Sequence, residues 1–137
     1  MQAQLQIDKV ENVCEWLETS SQEYNATQSI PWLIDQVGQL CNEMAFTNTQ
    51  MAVAKKELNK KKVSAYNSLI SSSVANETYF APSLAKDYVS AKCGTEQYNY
   101  DVCERASRTI THTLEALRTC ISALKEEIKI ANYQGQV

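Results

Sequence analysis

The stretch PWLIDQVGQLCNEMAFTNTQMAVAKKEL, residues 31–58, decides the fold class. Within it Leu33, Val37, Leu40, Met44, Thr47, Met51, Ala54 and Leu58 follow one another by alternate steps of four and three. A helix turns every 3.6 residues, so this spacing draws one stripe along one face, the pattern of a helix packed lengthwise on another. Ser29-Ile30-Pro31 is its start signal. Ser29 or Ile30 stands at or near the N-cap, and Pro31 fits the first turn, where a missing N–H costs nothing. Gly38, the only glycine of the run, lies off the stripe.

Toward the C-terminus, Lys60-Lys61-Lys62 interrupts the stripe, and a shifted one succeeds it at Val63, Tyr66, Leu69/Ile70 and Val74. The spacing predicts one continuous helix over about 31–75, roughly 65 Å long at 1.5 Å per residue, whose apolar face changes register at the lysines. A bend or break there is the alternative. Asn76 to Ser83 reads as the main turn, because Pro82 is disfavoured inside a helix and Ser83 can cap the next one. The last helix is predicted over about 83–131. It carries Leu84, Tyr88, Val89 and Cys93, then Cys103, Ala106, Ile110, Leu114, Leu117, Ile121, Leu124, Ile128 and Ala131. Gly94-Thr95 between them either ends one helix and caps the next or is merely a weak point. Toward the N-terminus, Leu5, Val10, Val13, Cys14 and Leu17 predict an amphipathic helix over about 4–20, ended by the polar stretch 19–29. The expected fold is all-α: one domain over residues 1–137, a long antiparallel helical hairpin plus an N-terminal helix, bundle-like or coiled-coil-like.

The totals agree with few, long elements. Three Gly and two Pro in 137 residues are too few for the turns of a β-protein of this size. No apolar run reaches the length of a membrane span, and the first residues lack a secretion signal, so a cytoplasmic protein with no membrane partner is expected. Five scattered cysteines without a C-x-x-C pair read as reduced, buried thiols. Residues 1–50 hold seven acids against Lys9 alone, and the remainder is mildly basic. The acidic first helix therefore either lies on the basic part or faces a different partner.

No catalytic, metal-binding or cofactor-binding residues are expected. The single histidine, His112, has Thr109 rather than Glu three residues before it, so the Glu-x-x-His pairs of di-iron bundles are missing. Zinc would need Cys or His at short spacing. Three isolated glycines cannot form a phosphate cradle. What remains is surface. Lys55, Lys56, Lys60, Lys61 and Lys62 form a cluster able to neutralise phosphates, or else a solvated face. An overall pI near 5.2 argues against a dedicated nucleic-acid binder. Tyr79, Phe80, Tyr88, Tyr98 and Tyr100 form an aromatic group, either core or interface. Tyr98 and Tyr100, two residues apart, cannot share a helical face. Asp101–Arg105 and Glu104–Arg108 are spaced for pairs along a helix. Tyr88, Tyr98, Tyr100, Arg105 and Arg108 are the candidate protein interface.

Leu84-Ala-Lys-Asp-Tyr-Val, Tyr98-Asn-Tyr-Asp-Val-Cys-Glu-Arg and Leu117-Arg-Thr-Cys-Ile-Ser-Ala-Leu-Lys-Glu-Glu resemble short helical accessory proteins encoded by bacteriophages. The resemblance implies a non-enzymatic protein acting in the cytoplasm of an infected bacterium. Two long seams on a small chain leave apolar surface that one short helix cannot cover, which predicts a homo-oligomer, most simply a dimer with a four-helix core. The expected function is that of a helical interaction or scaffold protein with a protein partner still to be identified. The alternative is nucleic-acid binding through Lys55–Lys62, in recombination or packaging.

Overall fold

The computed structural model describes residues 3–26 and 29–135, and is all-α. Its helices are α1 (Ile7–Ala26), α2 (Ile30–Ala75), α3 (Pro82–Lys92) and α4 (Gly94–Gly135). No helix among the described residues is long and apolar enough to cross a membrane.

The stripe from Leu33 to Leu58 is the spine of the fold. Leu33, Leu40, Thr47, Ala54 and Leu58 are buried on α2, with Val37, Met44 and Met51 partly buried beside them. Opposite them α4 buries Cys103, Ala106, Ile110, Leu114 and Leu117. Ser107 Oγ donates to Asn48 Oδ1 at 2.5 Å, and Thr111 Oγ1 meets Met44 Sδ at 3.8 Å, so the two helices run antiparallel. α1 closes this hairpin into a three-helix body. Val13 and Leu17 join the cluster around Leu33 and Leu114, and Val10 joins Ala54, Cys103 and Ala106. Ala54, Cys103 and Ala106 are small, which lets the three backbones approach at that end.

Each end of α1 departs from expectation for a physical reason. The helix starts at Ile7 rather than near Gln4, because residues 4–6 are held outside it by Gln50, a buried side chain of α2. Gln50 Oε1 accepts the Gln6 N–H at 2.5 Å, and Gln50 Nε2 donates to the Gln4 carbonyl at 3.0 Å. The helix also continues to Ala26, through the polar stretch expected to end it. Hydroxyl side chains are tolerated there when they bond back along the helix, as Thr19 Oγ1 does to the Glu15 carbonyl at 3.1 Å. Thr27 and Gln28, within the same stretch, lie outside the described residues, as do the first and last two residues of the chain.

α2 is continuous through Lys60–Lys62, about 70 Å of helix at 1.5 Å per residue. Its buried face does not change register there. Beyond Leu58 the buried residues are Ala65 and Leu69, seven and eleven positions on, in line with the first stripe. Of the seam expected at Val63, Tyr66, Leu69/Ile70 and Val74, Leu69 alone is buried, and Val63, Tyr66, Ile70 and Val74 are exposed. The mate changes along this one face: α4 accompanies the first part of α2, and α3 accompanies the last.

α2 ends at Ala75 with Asn76 as its C-cap, followed by Glu77 in the left-handed region at φ 51°. The Thr78 N–H then bonds the Ser73 carbonyl at 3.0 Å, closing the helix end. α3 opens at Pro82, with Ala81 rather than Ser83 at the N-cap. Proline at the first turn gives up no hydrogen bond, so the helix gains a turn residue without a polar cap. The predicted last helix is divided at Cys93, whose φ −102° and ψ 16° leave the helical region. Cys93 is buried, and its carbonyl accepts the Gln97 N–H at 2.8 Å to start α4.

Candidate functional site

Beyond Leu58 the chain is a two-helix arm, made of α2 from residue 59 onward, the turn, and α3. The body buries a stripe from each of three helices. The arm buries Ala65, Leu69 and, at its base, Cys93, and none of the eleven residues of α3 is buried. The consequence is a concentration of exposed apolar side chains: Val63, Tyr66, Ile70 and Val74 along α2, Tyr79 and Phe80 in the turn, Leu84 and Tyr88 on α3. Tyr79 is 85% exposed and Val74 75%. The α2 members recur every three or four residues, so they share one face. Of these side chains, Tyr66, Ile70, Val74, Tyr79 and Phe80 line a shallow apolar groove between α2 and α3, together with Leu69, Ser73 and Ala85.

The lysine cluster sits at the base of the arm. Lys55, Lys56 and Lys60 share a face of α2 with Ala52, Asn59 and Val63, so the basic surface runs directly into the apolar stripe. Lys61 falls between Leu58 and Ala65 on the packed side and lines a cleft with Ser64, Ser68, Tyr88 and Lys92. Lys62 is exposed. None of the five lysines makes an ion pair among the described residues; α1, with its acids, packs farther down α2. The segment 55–92 carries seven lysines against Glu57, Glu77 and Asp87, a net charge of +4, and the rest of the chain carries −7.

The expected protein interface is split between arm and body. Tyr88 lies on the arm, with Lys92 Nζ 5.5 Å from its ring centre. Tyr98 is exposed on the body, and its hydroxyl donates to Glu11 Oε1 of α1 at 3.3 Å. The Glu11 charge and that hydrogen bond hold the Tyr98 phenol above its usual range. Tyr100 is half-buried against the cluster of Val10 and Cys103. Thus one of the two tyrosines packs and the other faces outward, as their spacing requires. Arg108 pairs with Glu104, as its spacing predicts. Asp101 instead accepts the Gln97 amide at 2.9 Å, and Arg105 makes no ion pair among the described residues.

His112 is exposed, 3.7 Å from Glu115 Oε2. No three His, Cys, Asp or Glu side chains among the described residues are placed to hold a metal ion. Cys93 and Cys103 are buried, Cys14 and Cys120 partly so. Cys41 is exposed, contrary to the expectation of uniformly buried thiols, because it follows the stripe residue Leu40 and so turns outward. Burial and the neighbouring Cys14 push the Cys103 thiol up to about 11, which keeps it protonated and inert.

The chain matches no family model, no curated protein and no solved structure. Its surfaces alone therefore bear on its role. The residues that sequence patterns did not reveal are the turn aromatics and the Val63–Val74 stripe as an open surface. Their periodicity is visible, but it does not tell which of two neighbouring stripes faces the mate.

Proposed function

We propose that the protein is a non-enzymatic helical interaction and scaffold protein that associates with itself, and that its arm is the working surface. One observation carries this reading: the exposed apolar side chains gather on the arm, where two helices stand without a third. Contiguous apolar surface rimmed by charge is what association sites expose. Outside the arm, the exposed large apolar side chains among the described residues are Ile34 on α2, Tyr98 on the body and, near the C-terminal end of α4, Ile128, Ile130 and Tyr133. The last three do not fall on one helical face. The resemblance to phage accessory proteins supports a setting in the cytoplasm of an infected bacterium, where the outward face of Tyr98, Arg105 and Arg108 is available to a host or phage protein.

Light scattering after size exclusion tests the reading. At micromolar concentration the natural chain is expected at about twice its 15.4 kDa, and the variant Tyr66→Ser/Ile70→Ser at one chain mass with unchanged helix content. A natural chain that runs as a monomer overturns it.

A second reading is favoured by the lysines alone: Lys55, Lys56 and Lys60 share one open face and pair with no acid among the described residues. On this reading the arm tracks a nucleic-acid backbone. Anisotropy titration of a labelled DNA or RNA duplex should then show binding that weakens steeply with salt and with Lys60→Gln/Lys61→Gln/Lys62→Gln. Absence of binding at low salt removes it.

A further inference from the structure

We infer that the arm of one copy lies antiparallel along the arm of a second copy, each apolar stripe covering the other, with the two bodies at opposite ends. This rests on the self-association proposed above and specifies its geometry. The occupant follows first from stability. α3 has eleven residues, of which Ala85 and Val89 are half-buried within one chain and none is fully buried, while Leu84 and Tyr88 stand exposed. Helices shorter than about 12–15 residues are marginal in water without a packed face. The cover that α3 requires must be present whenever the chain is, and a second copy meets that condition.

Charge then selects the direction. Lys55, Lys56, Lys60, Lys61 and Lys62 stand at the base of the arm, joined there by Lys92, whereas the turn and α3 carry Glu77 and Asp87 against Lys86. A parallel pair would set two lysine blocks abreast and two bodies of net charge −7 side by side. An antiparallel pair crossing near Ile70 relieves both. Position 66 then faces 74, and position 63 lies level with the end of α2 at Asn76 and Glu77. Lys60 of each copy then comes within reach of Glu77 of the other, just past the end of α2, as an ion pair across the interface. The two Lys60 side chains lie some twenty helical residues apart, roughly 30 Å, well beyond the screening length of about 8 Å in physiological salt.

Zero-length carbodiimide cross-linking of the natural chain tests the arrangement without altering it. An equimolar mixture of ¹⁴N and ¹⁵N protein, exchanged at low concentration and reconcentrated, is cross-linked and digested, and linked peptides are read by mass. Within one chain about 22 Å of helix, at 1.5 Å per residue, separates Lys60 from the end of α2 at Ala75, beyond which Glu77 lies, too far for a direct amide. The expected product is a mixed-isotope link between Glu77 and Lys60 or Lys62. A dimer whose mixed-isotope links join the bodies, or which lacks any Glu77–lysine link, overturns the antiparallel arm pair and leaves self-association standing. A chain that scatters as a monomer overturns both.

Discussion

The side-chain amide of Gln50 caps the backbone of Gln6, accepting its N–H at 2.5 Å while donating to the Gln4 carbonyl at 3.0 Å. Gln50 is 2% exposed, so these bonds satisfy a polar group that packing has removed from water. The Gln6 carbonyl in turn receives the N–H groups of Lys9 and Val10, so one side chain of α2 fixes where α1 begins. Gln50→Ala should cost about 1–3 kcal/mol, the desolvation left on the orphaned backbone plus the lost bonds. Denaturant titration measures the total, and hydrogen exchange should show the loss first at residues 6–10. Unchanged protection there would mean that the clamp contributes nothing.

Gly38 lies on the exposed face of α2, and a Cβ built on it meets nothing within 4 Å. Its φ is not positive, so its freedom serves no turn. Gly38→Ala should therefore stabilise the body by about 1 kcal/mol through helix propensity alone. Thermal melting reads this as a rise of several degrees.

Leu40 is fully buried in the largest hydrophobic cluster, and Val74 is three-quarters exposed. Leu40→Ala should cost about 2–5 kcal/mol at any protein concentration. On the proposed self-association, which places the contacts of Val74 between copies, Val74→Ala should cost little at nanomolar concentration and more as concentration rises. Melting each variant across a hundredfold dilution separates the two behaviours.

Cys103 gives a pH dependence whose sign is fixed. Burial raises its thiol from 9.0 to about 11, so between those values the unfolded chain has lost a proton that the folded chain keeps. Stability should be independent of this group below pH 9 and fall as pH rises from 9 toward 11. Replacing Cys103 by Ala should flatten that fall while lowering stability overall, and chemical denaturation at pH 7.5 and 10 checks both. Thiol labelling of the native chain near neutral pH should modify Cys41 first, the one exposed cysteine.

The body was legible in the sequence because its stripes are long and unopposed. From Leu33 to Leu58 and from Cys103 to Leu124 one apolar face recurs without a break, no second stripe of like length runs beside it, and Pro31 marks the start. The arm was not legible in the same way. Ala65 and Leu69 continue the first stripe, but Val63, Tyr66, Ile70 and Val74 draw a bulkier one beside it, and size misleads when two stripes lie side by side. The Gln50 clamp was hidden for another reason: its bonds span more than forty residues, and a glutamine in a seam carries no local mark of its partner. Cys93 divides α3 from α4 one residue before the glycine that drew attention. Of the candidate surface residues, the spacing of Tyr98 and Tyr100 says that they face apart but not which of them is exposed, and the turn aromatics show their exposure only once the two-helix arm is built.

The most direct measurement is hydrogen exchange of α3, amides 85–92, as a function of protein concentration. A helix that buries no residue within its own chain should be strongly protected at tens of micromolar and lose most of that protection on dilution to tens of nanomolar. Body amides around Leu40 and Ile110 should hold theirs throughout. Protection of α3 that is equal at both concentrations would contradict the claim that a second copy covers the arm.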